Sequence, residues 1–451
     1  MSAAIVLFNR DLRVHDHPAL AEAHRRADEV VPLFVVDEAI ARRRFASPNR
    51  ARFLVEALDD LRQALRQRGA DLVVRRGDPA AEVVSLAAQV QADTIFTSGD
   101  VTAYARSRQR RVEDAAKQHR IQFAAMPGVT VVEPGALVPA AGDHYRVFTP
   151  YWHVWQRAPW RPVAATPGSM HLPPGVDPGD LPESSELAEG GVSPELPRGG
   201  EEVARQLVGA WVRAGLEGYG DHADDLAGDA TSRLSPYLHF GCVSPLEVAS
   251  WVRERAGAEP FLRQLCWRDF HHQVVAAFPA IATKDYRPRG DRWHDDPEAA
   301  AAWREAQTGY PIVDAGMRQL QREGWMHNRS RLIVASFLTK SLYIDWRTGA
   351  AHFLDWLVDG DIVNNSANWQ WVAGTGNDTR PNRRLNPLRQ AARFDPTGEY
   401  VRRYVPELAA IEGAAVHEPW KLPAGQRRGL DYPPPIVDPI GTSTASSRRP
   451  G

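Results

Sequence analysis

All 14 tryptophans of this 451-residue chain fall after residue 150. Indoles are bulky and are placed by packing, so a chain that uses none in its first third is built as two differently constructed bodies. The length agrees, because it exceeds the size at which one hydrophobic core usually stops growing.

Over residues 1–130, apolar runs (Ala4–Phe8, Val30–Val36, Leu72–Val74, Thr94–Thr97) alternate with helix-like segments at Arg50–Arg68 and Ala105–Gln118. This predicts an α/β domain with a Rossmann-like parallel sheet covered by helices. No GxGxxG follows the first run, which weakens an ordinary dinucleotide-binding reading. Asp37 and Asp100 stand just after apolar runs, where open α/β sheets bind ligands; turn formation and helix capping are their competing roles. From 131 to 200, Pro, Gly, Ser and acidic residues dominate, and a long surface connector is expected, pinned by Tyr151, Trp152, Trp155 and Trp160. Residues 201–432 read as predominantly helical. The tail 433–451 lacks core-forming content and is expected to be disordered.

Chemistry concentrates between Gly324 and Trp371, where five tryptophans fall in under fifty residues. Val334, Leu338 and Leu342 form a stripe with Ile333 and Phe337 beside it, the spacing of a helix from Arg331 to Leu342 buried on a wide face. Asn328 and Arg331, one turn apart, then need polar partners, which a bound ligand would supply. Asp359, Gly360 and Asp361 form a turn ahead of Asn364, Asn365, Ser366, Asn368 and the Trp369-Gln370-Trp371 triplet. A capping turn is the plain reading. Set among aromatics, these carboxylates and amides also form a rim that can read the edges of a planar heterocycle. Thr231-Ser232-Arg233-Leu234-Ser235 offers hydroxyls and backbone N–H groups at a helix start, suited to a phosphate or simply to a cap.

In chain order, FNRDLRVHDHPAL (Phe8–Leu20), TSRLSPYL (Thr231–Leu238), WRDF (Trp267–Phe270), GYPIVDAGMRQL (Gly309–Leu320), GWMHNR, DWR, DGD, NWQW and VHEPW (Val416–Trp420) resemble the photolyase/cryptochrome family over nearly the whole chain. The resemblance implies an antenna-type α/β domain followed by an all-α FAD- and DNA-binding domain. It implies FAD surrounded by Tyr219, Thr231, Ser232, Arg233, Leu234, Ser235, Asn328, Arg331, Asp359, Gly360, Asp361 and Asn365. Asn365 would face flavin N5, where an amide can both donate and accept. Trp293, Trp346 and Trp369 match the family's electron relay to the flavin.

UV-damaged DNA is the implied partner, met by Gln264, Trp267, Arg268, His271, Asn328, Arg329, Trp371 and Gln390. Trp267 and Trp371 would line the pocket for a flipped-out pyrimidine dimer. An antenna chromophore is implied in the first domain. A deazaflavin is expected over methenyltetrahydrofolate, because His239 matches a position where deazaflavin-type relatives carry a basic residue, with Asp37, Arg50 and Asp100 as pocket residues.

Three positions depart from the pattern. Gln264 stands where cyclobutane-dimer enzymes commonly carry Glu, Leu332 where many have Met, and Ala223 where a DNA-contacting Arg is common. Gln264 also occurs in the (6-4) and animal cryptochrome branch, whereas Asn328 replaces the second histidine of the pair that (6-4) enzymes use. The expected function is therefore a class I-like cyclobutane pyrimidine dimer photolyase, a lyase in which excited reduced FAD lends an electron to the dimer. The alternatives are a cryptochrome-type light sensor, a (6-4) photolyase, or a helical nucleic-acid-binding protein with no flavin.

Net charge is only −2, which excludes a chain coated with phosphate-binding cations but allows a local basic surface such as the seven arginines between Arg380 and Arg403. Two cysteines, Cys242 and Cys266, supply neither a disulfide framework nor four thiolates for an iron–sulfur cluster, and no metal is expected. With no run of membrane-spanning length and no basic-then-apolar start, a cytoplasmic monomer is expected.

Overall fold

The computed structural model describes residues 2–41 and 46–438. Five strands, β1 (Ala3–Phe8), β2 (Glu29–Asp37), β3 (Val73–Gly77), β4 (Ala92–Ser98) and β5 (Gln122–Met126), form one parallel sheet in the order β3-β2-β1-β4-β5. All six residues of β1 are buried, as a central strand covered on both faces must be. Ala4, Val6 and Phe8 face one core, while Ala3, Ile5 and Leu7 face the other. The helices Pro48–Arg66, Pro79–Val90 and Ala103–Gln118 correspond to this arrangement. Asp78 caps the second of them through the N–H groups of Ala80 and Ala81, and Thr102 caps the third through that of Ala105. The four expected strands are present. The fifth, β5, was not legible in the sequence because an edge strand with both faces partly exposed has no apolar run to reveal it.

The strand order reverses on either side of β1, and the carboxyl ends of β1 and β4 therefore open the crevice in which such sheets hold ligands. Asn9 and Arg10 follow β1, Asp100 follows β4, and Asp37 ends β2; all four line a cavity of about 280 Å³.

The connector is extended but bonded to both bodies. Val74 N–H donates to Pro178 O (2.7 Å), Val30 N–H to His171 O (2.9 Å) and Glu195 N–H to Arg322 O (2.9 Å). Helix Phe148–Trp155 buries Tyr151, Trp152 and Trp155, and the Trp155 indole N–H donates to Asp269 (2.8 Å). The inner face of the sheet shares one continuous core with these aromatics and with Phe240, Phe270 and Val274 of the helical body.

Two expectations are corrected. The helix expected from Arg331 to Leu342 starts earlier, at Asn328, and runs as an α-helix only to Ser336, before a π-helical turn over Phe337–Ser341. Periodicity reveals a buried face but not a cap, and here the cap is the His327 ring, which accepts from Arg329 N–H. Of the tail expected to be disordered, residues 433–438 lie along the helical body: Ile436 N–H donates to Thr308 O (3.0 Å) and Tyr310 Oη to Val437 O (3.2 Å). Backbone hydrogen bonds dock the segment, and Val437 packs against the helical core. Residues 439–451 lie outside the described residues.

Candidate active site

The helical body holds a second, larger cavity of about 430 Å³. Helix Ala258–Ala277 gives it Gln264, Trp267, Arg268 and His271, spaced so that all four lie on one face. Helix Ile362–Ala373 gives it Asn364, Asn365, Asn368, Trp369 and Trp371. Asn328, Arg331 and Leu332 come from helix Asn328–Ser336, Tyr219 from the short helix Tyr219–His222, and Ser232, Leu234 and Ser235 from the start of helix Ser235–Phe240 and the residues before it.

The Asp359-Gly360-Asp361 turn both caps a helix and lines the cavity. Asp361 Oδ1 accepts from Val363 N–H (2.7 Å) and Asn364 N–H (3.3 Å). It is 4% exposed, and Asp359 is 7% exposed. Burial alone would raise the Asp361 carboxyl; the nearby charge of Arg10, the largest opposing cause, outweighs it and holds the group far below the usual carboxylate range. A Cβ on Gly360 would stand 2.9 Å from Leu357 O, which is why the turn carries glycine.

Arg331 does not wait for a ligand. Its guanidinium donates to Asp359 (2.7 Å) and Met326 O (2.8 Å), so the partners expected from a ligand come from the protein. Arg233 likewise pairs with Glu323 (2.8 Å) and Asp229 (2.9 Å) and lies over the Trp325 ring. It shapes the loop from outside the cavity. Thr231 also stands off the lining, with a buried hydroxyl that has no partner. Arg268 lines the cavity, but its guanidinium turns to the carbonyl oxygens of Val129 and Leu238. Arg329 pairs with Asp224 (2.5 Å) and packs over Phe394, and neither it nor Gln390 reaches the cavity wall.

Asn365 donates from Nδ2 to Ala350 O (2.9 Å), which fixes its amide in one orientation and leaves the carbonyl oxygen and a second N–H for the cavity. Trp267 stacks face to face on Phe148, centroids 3.7 Å apart and planes within 2°. Half-buried Trp371 lies under Arg383 at 5.3 Å. His271 Nδ1 meets Asn364 Oδ1 at 3.0 Å, and burial pushes the imidazole down to about 4, so it is neutral at physiological pH.

Trp369 forms part of the cavity wall and packs against Gly349, one turn into the helix that begins at Trp346. Trp369 and Trp346 are buried, and Trp293 is half-buried against Tyr343 at 5.0 Å. No two of these three rings touch among the described residues; the indole in contact with Trp369 is Trp303, at 6.0 Å.

A flavin dinucleotide fits this donor set. Asp359 Oδ1 and His239 Nδ1 are buried without partners in residues that line the cavity, and polar atoms that the fold leaves unsatisfied are the ones a polar ligand can satisfy. Asp359, Asp361 and Asn365 offer acceptors and donors to a ring edge, while Ser232 and Ser235 offer hydroxyls to a phosphate.

The comparisons agree with this geometry. Residues 4–168 match the family model described as DNA photolyase, and residues 261–449 match that described as the FAD binding domain of DNA photolyase. A deoxyribodipyrimidine photo-lyase of Streptomyces griseus is 53% identical over 442 residues, covering 97% of each chain. The chain belongs to the photolyase/cryptochrome family. Its fold is that of a Synechocystis cryptochrome (TM-score 0.91, 29% identity, 99% of this chain and 98% of the other). It is also similar to a photolyase from Sulfolobus tokodaii described with two FAD molecules (TM-score 0.86, 30% identity, 98% and 97% covered). As a member of the family the chain carries a photolyase-type FAD-binding domain and an α/β domain. Among the described residues no helix is long and apolar enough to cross a membrane, and no group of His, Cys, Asp or Glu could hold a metal.

Sequence reasoning missed Phe148, which supports Trp267, and Arg10, Tyr104 and Arg108 in the smaller cavity. Arg10 had a local signal, since a charged residue right after a wholly apolar strand must find a partner. Phe148 had none, because the stack joins residues more than a hundred positions apart.

Proposed function

We propose that this protein is a light-driven lyase that reverses cyclobutane pyrimidine dimers in UV-damaged DNA, with FAD as its cofactor. The observation that carries the reading is that one cavity joins two unlike walls, a hydrogen-bonding rim (Asp359, Asp361, Asn365) and an aromatic mouth (Trp267, Trp371). When bound and reduced, FAD supplies under illumination the electron that opens the cyclobutane ring and then recovers it.

The chain's residues do the rest. Ser232, Ser235 and nearby backbone would hold the diphosphate, with Arg233, Asp229 and Glu323 bracing their loop. Asp359, locked by Arg331, and Asp361 would accept from the ring edge, and Asn365 would offer its amide to the ring. Trp267 and Trp371 wall in the flipped-out bases and exclude water, since flat apolar faces suit stacked pyrimidines. Gln264, Asn328 and the neutral His271 offer hydrogen bonds at the lesion's polar edges. Trp369, Trp346 and Trp293 form the path by which reducing electrons reach the cavity; they run from the cavity wall through a buried site to a half-buried one. Arg329 and Gln390 lie on the DNA side, with the arginines of residues 380–403 answering the phosphates.

The smaller cavity is the antenna site. A deazaflavin remains the preferred occupant, but for a different reason than His239. That imidazole is buried and its pKa is pushed well down by desolvation and by Arg10, so it carries no charge at neutral pH. The preference rests on Arg50, Arg108, Asp37 and Tyr104, which line the slot together with apolar residues such as Phe34, Leu54 and Phe240. An excitation spectrum of repair after reconstitution with a deazaflavin or a folate decides it, and enhancement by folate alone overturns the preference.

The function is tested with oligonucleotides that carry a single lesion. Light-dependent reversal of thymine cyclobutane dimers is expected, with none in the dark and little action on (6-4) products. Robust (6-4) repair without dimer reversal, or a flavin-loaded, reduced protein that repairs neither, refutes it.

A further inference from the structure

Asp361 is a buried carboxylate at the N-terminus of the helix that presents Asn365, Trp369 and Trp371, and it needs a fixed cation. Neighbouring candidates on the helical body do not supply one. The Arg268 guanidinium is occupied with the carbonyl oxygens of Val129 and Leu238, and His239 and His272 are driven to the neutral form chiefly by burial. The cation comes instead from the other body. Arg10, the second residue after β1, donates from Nη2 to Asp361 (2.7 Å), from Nη1 to Asp100 (3.2 Å) and from Nε to His239 O (3.0 Å).

All three ends of the guanidinium are therefore engaged, in the planar fork that arginine alone provides. The backbone beneath it is clamped as well. A Cβ on Gly241 would collide with the Arg10 carbonyl, and Leu12 N–H donates to Phe240 O (3.2 Å). From Asp361 the chain of hydrogen bonds continues through Asn364 Nδ2 (3.3 Å) to His271 Nδ1 on Asn364 Oδ1 (3.0 Å), at the aromatic mouth. An unbroken polar line thus runs from the wall of the smaller cavity to the mouth of the larger one.

We propose that Arg10, a residue of the α/β body, is a positioning residue for the flavin cavity: its guanidinium holds Asp361 and, through it, the start of the helix that carries Asn365, Trp369 and Trp371. The inference rests on the flavin reading of that cavity for one of its two readouts only.

The test uses the full chain stripped of flavin, as wild type, Arg10→Gln and Arg10→Lys. FAD affinity is titrated by quenching of flavin fluorescence, and backbone hydrogen exchange is followed peptide by peptide on the flavin-free protein. Arg10→Gln leaves a buried carboxylate without its partner and should weaken FAD binding about tenfold or more. Arg10→Lys keeps the charge but not the fork, and should recover only part of that loss. Exchange should quicken over residues 361–373 in Arg10→Gln while helix Pro311–Glu323 stays as in wild type. Wild-type affinity in Arg10→Gln, a lysine variant as poor as the glutamine one, or faster exchange spread over the whole sheet would each overturn the inference. If Arg10→Gln does not fold, Asp361→Asn breaks the pair from the other side and is read by the same exchange pattern. A wild-type chain that takes up no FAD would refute the flavin reading, yet the exchange comparison would still decide the role of Arg10.

Discussion

Replacing Trp267 by Ala separates two jobs that the structure gives one side chain. One face of the indole rests on Phe148 at 3.7 Å, its edge meets Phe270 at 5.5 Å, and it lines the cavity mouth. If the exposed part stacks on a lesion base, its loss removes about 1–3 kcal/mol per base, which is about a 5- to 150-fold rise in Kd for dimer-containing duplex. Binding to undamaged duplex rests on phosphate contacts that Trp267 does not make and should stay within about a factor of two. The aromatic pair with Phe148 is worth about 0.5–1.5 kcal/mol beyond its burial, so some loss of stability accompanies the change and must be subtracted. Phe148→Leu provides that control, because it removes the support behind the indole and leaves the cavity wall in place. The assay is fluorescence anisotropy in the dark on matched duplexes with and without one thymine dimer, with thermal unfolding on the same preparations. Equal losses on both duplexes, or a Phe148→Leu variant as damaged in lesion binding as Trp267→Ala, would show that Trp267 is a core residue and not a lesion platform.

Trp369→Phe keeps an aromatic in the cavity wall but removes the readily oxidised indole. Photoreduction of the flavin should collapse while enzyme reduced chemically beforehand still repairs, and normal photoreduction would remove Trp369 from the relay. Gly349→Ala places a methyl group against the Trp369 ring and near Leu338. Overpacking of this kind costs about 1–3 kcal/mol, so lower Tm and lower flavin content are expected together, and an unchanged Tm would contradict the packing described. His271, pushed down to about 4 by burial, stabilises the fold fully above its free value of about 6.5, and that contribution is lost as pH falls through about 4. His271→Asn should flatten the stability profile across that window by up to about 3 kcal/mol; parallel profiles for variant and wild type would show that the imidazole is not desolvated.

Much of the fold could be read from the sequence because its signals are local. The apolar runs of β1, β2 and β4 and the proline and acidic starts of the helices each lie within a dozen residues. What could not be read depends on distant partners. The edge strand β5 carries no apolar run, and the π-helical turn at Phe337–Ser341 preserves the hydrophobic stripe that an α-helix would show. In the candidate site, residue types predicted the chemistry better than they predicted orientation. Asp359, Asp361, Asn365, Trp267 and Trp371 line one cavity as the motifs implied. Arg233, Arg329 and Arg331 instead direct their guanidinium groups to carboxylates of the chain. A long cation takes whichever anion the fold brings near, and sequence spacing does not contain that information.

The inner face of the β-sheet is completed by side chains of residues 148–275, so the α/β body is not a detachable module. Cut loose near residue 130, it would expose the underside of its central strand to water and offer Val6 and Phe8 to any neighbour. Both halves therefore melt and form together. The separation and orientation of the two cavities are then set by the shared core and not by how a linker happens to hang. For the two-pigment reading proposed above, that spacing is the calibration.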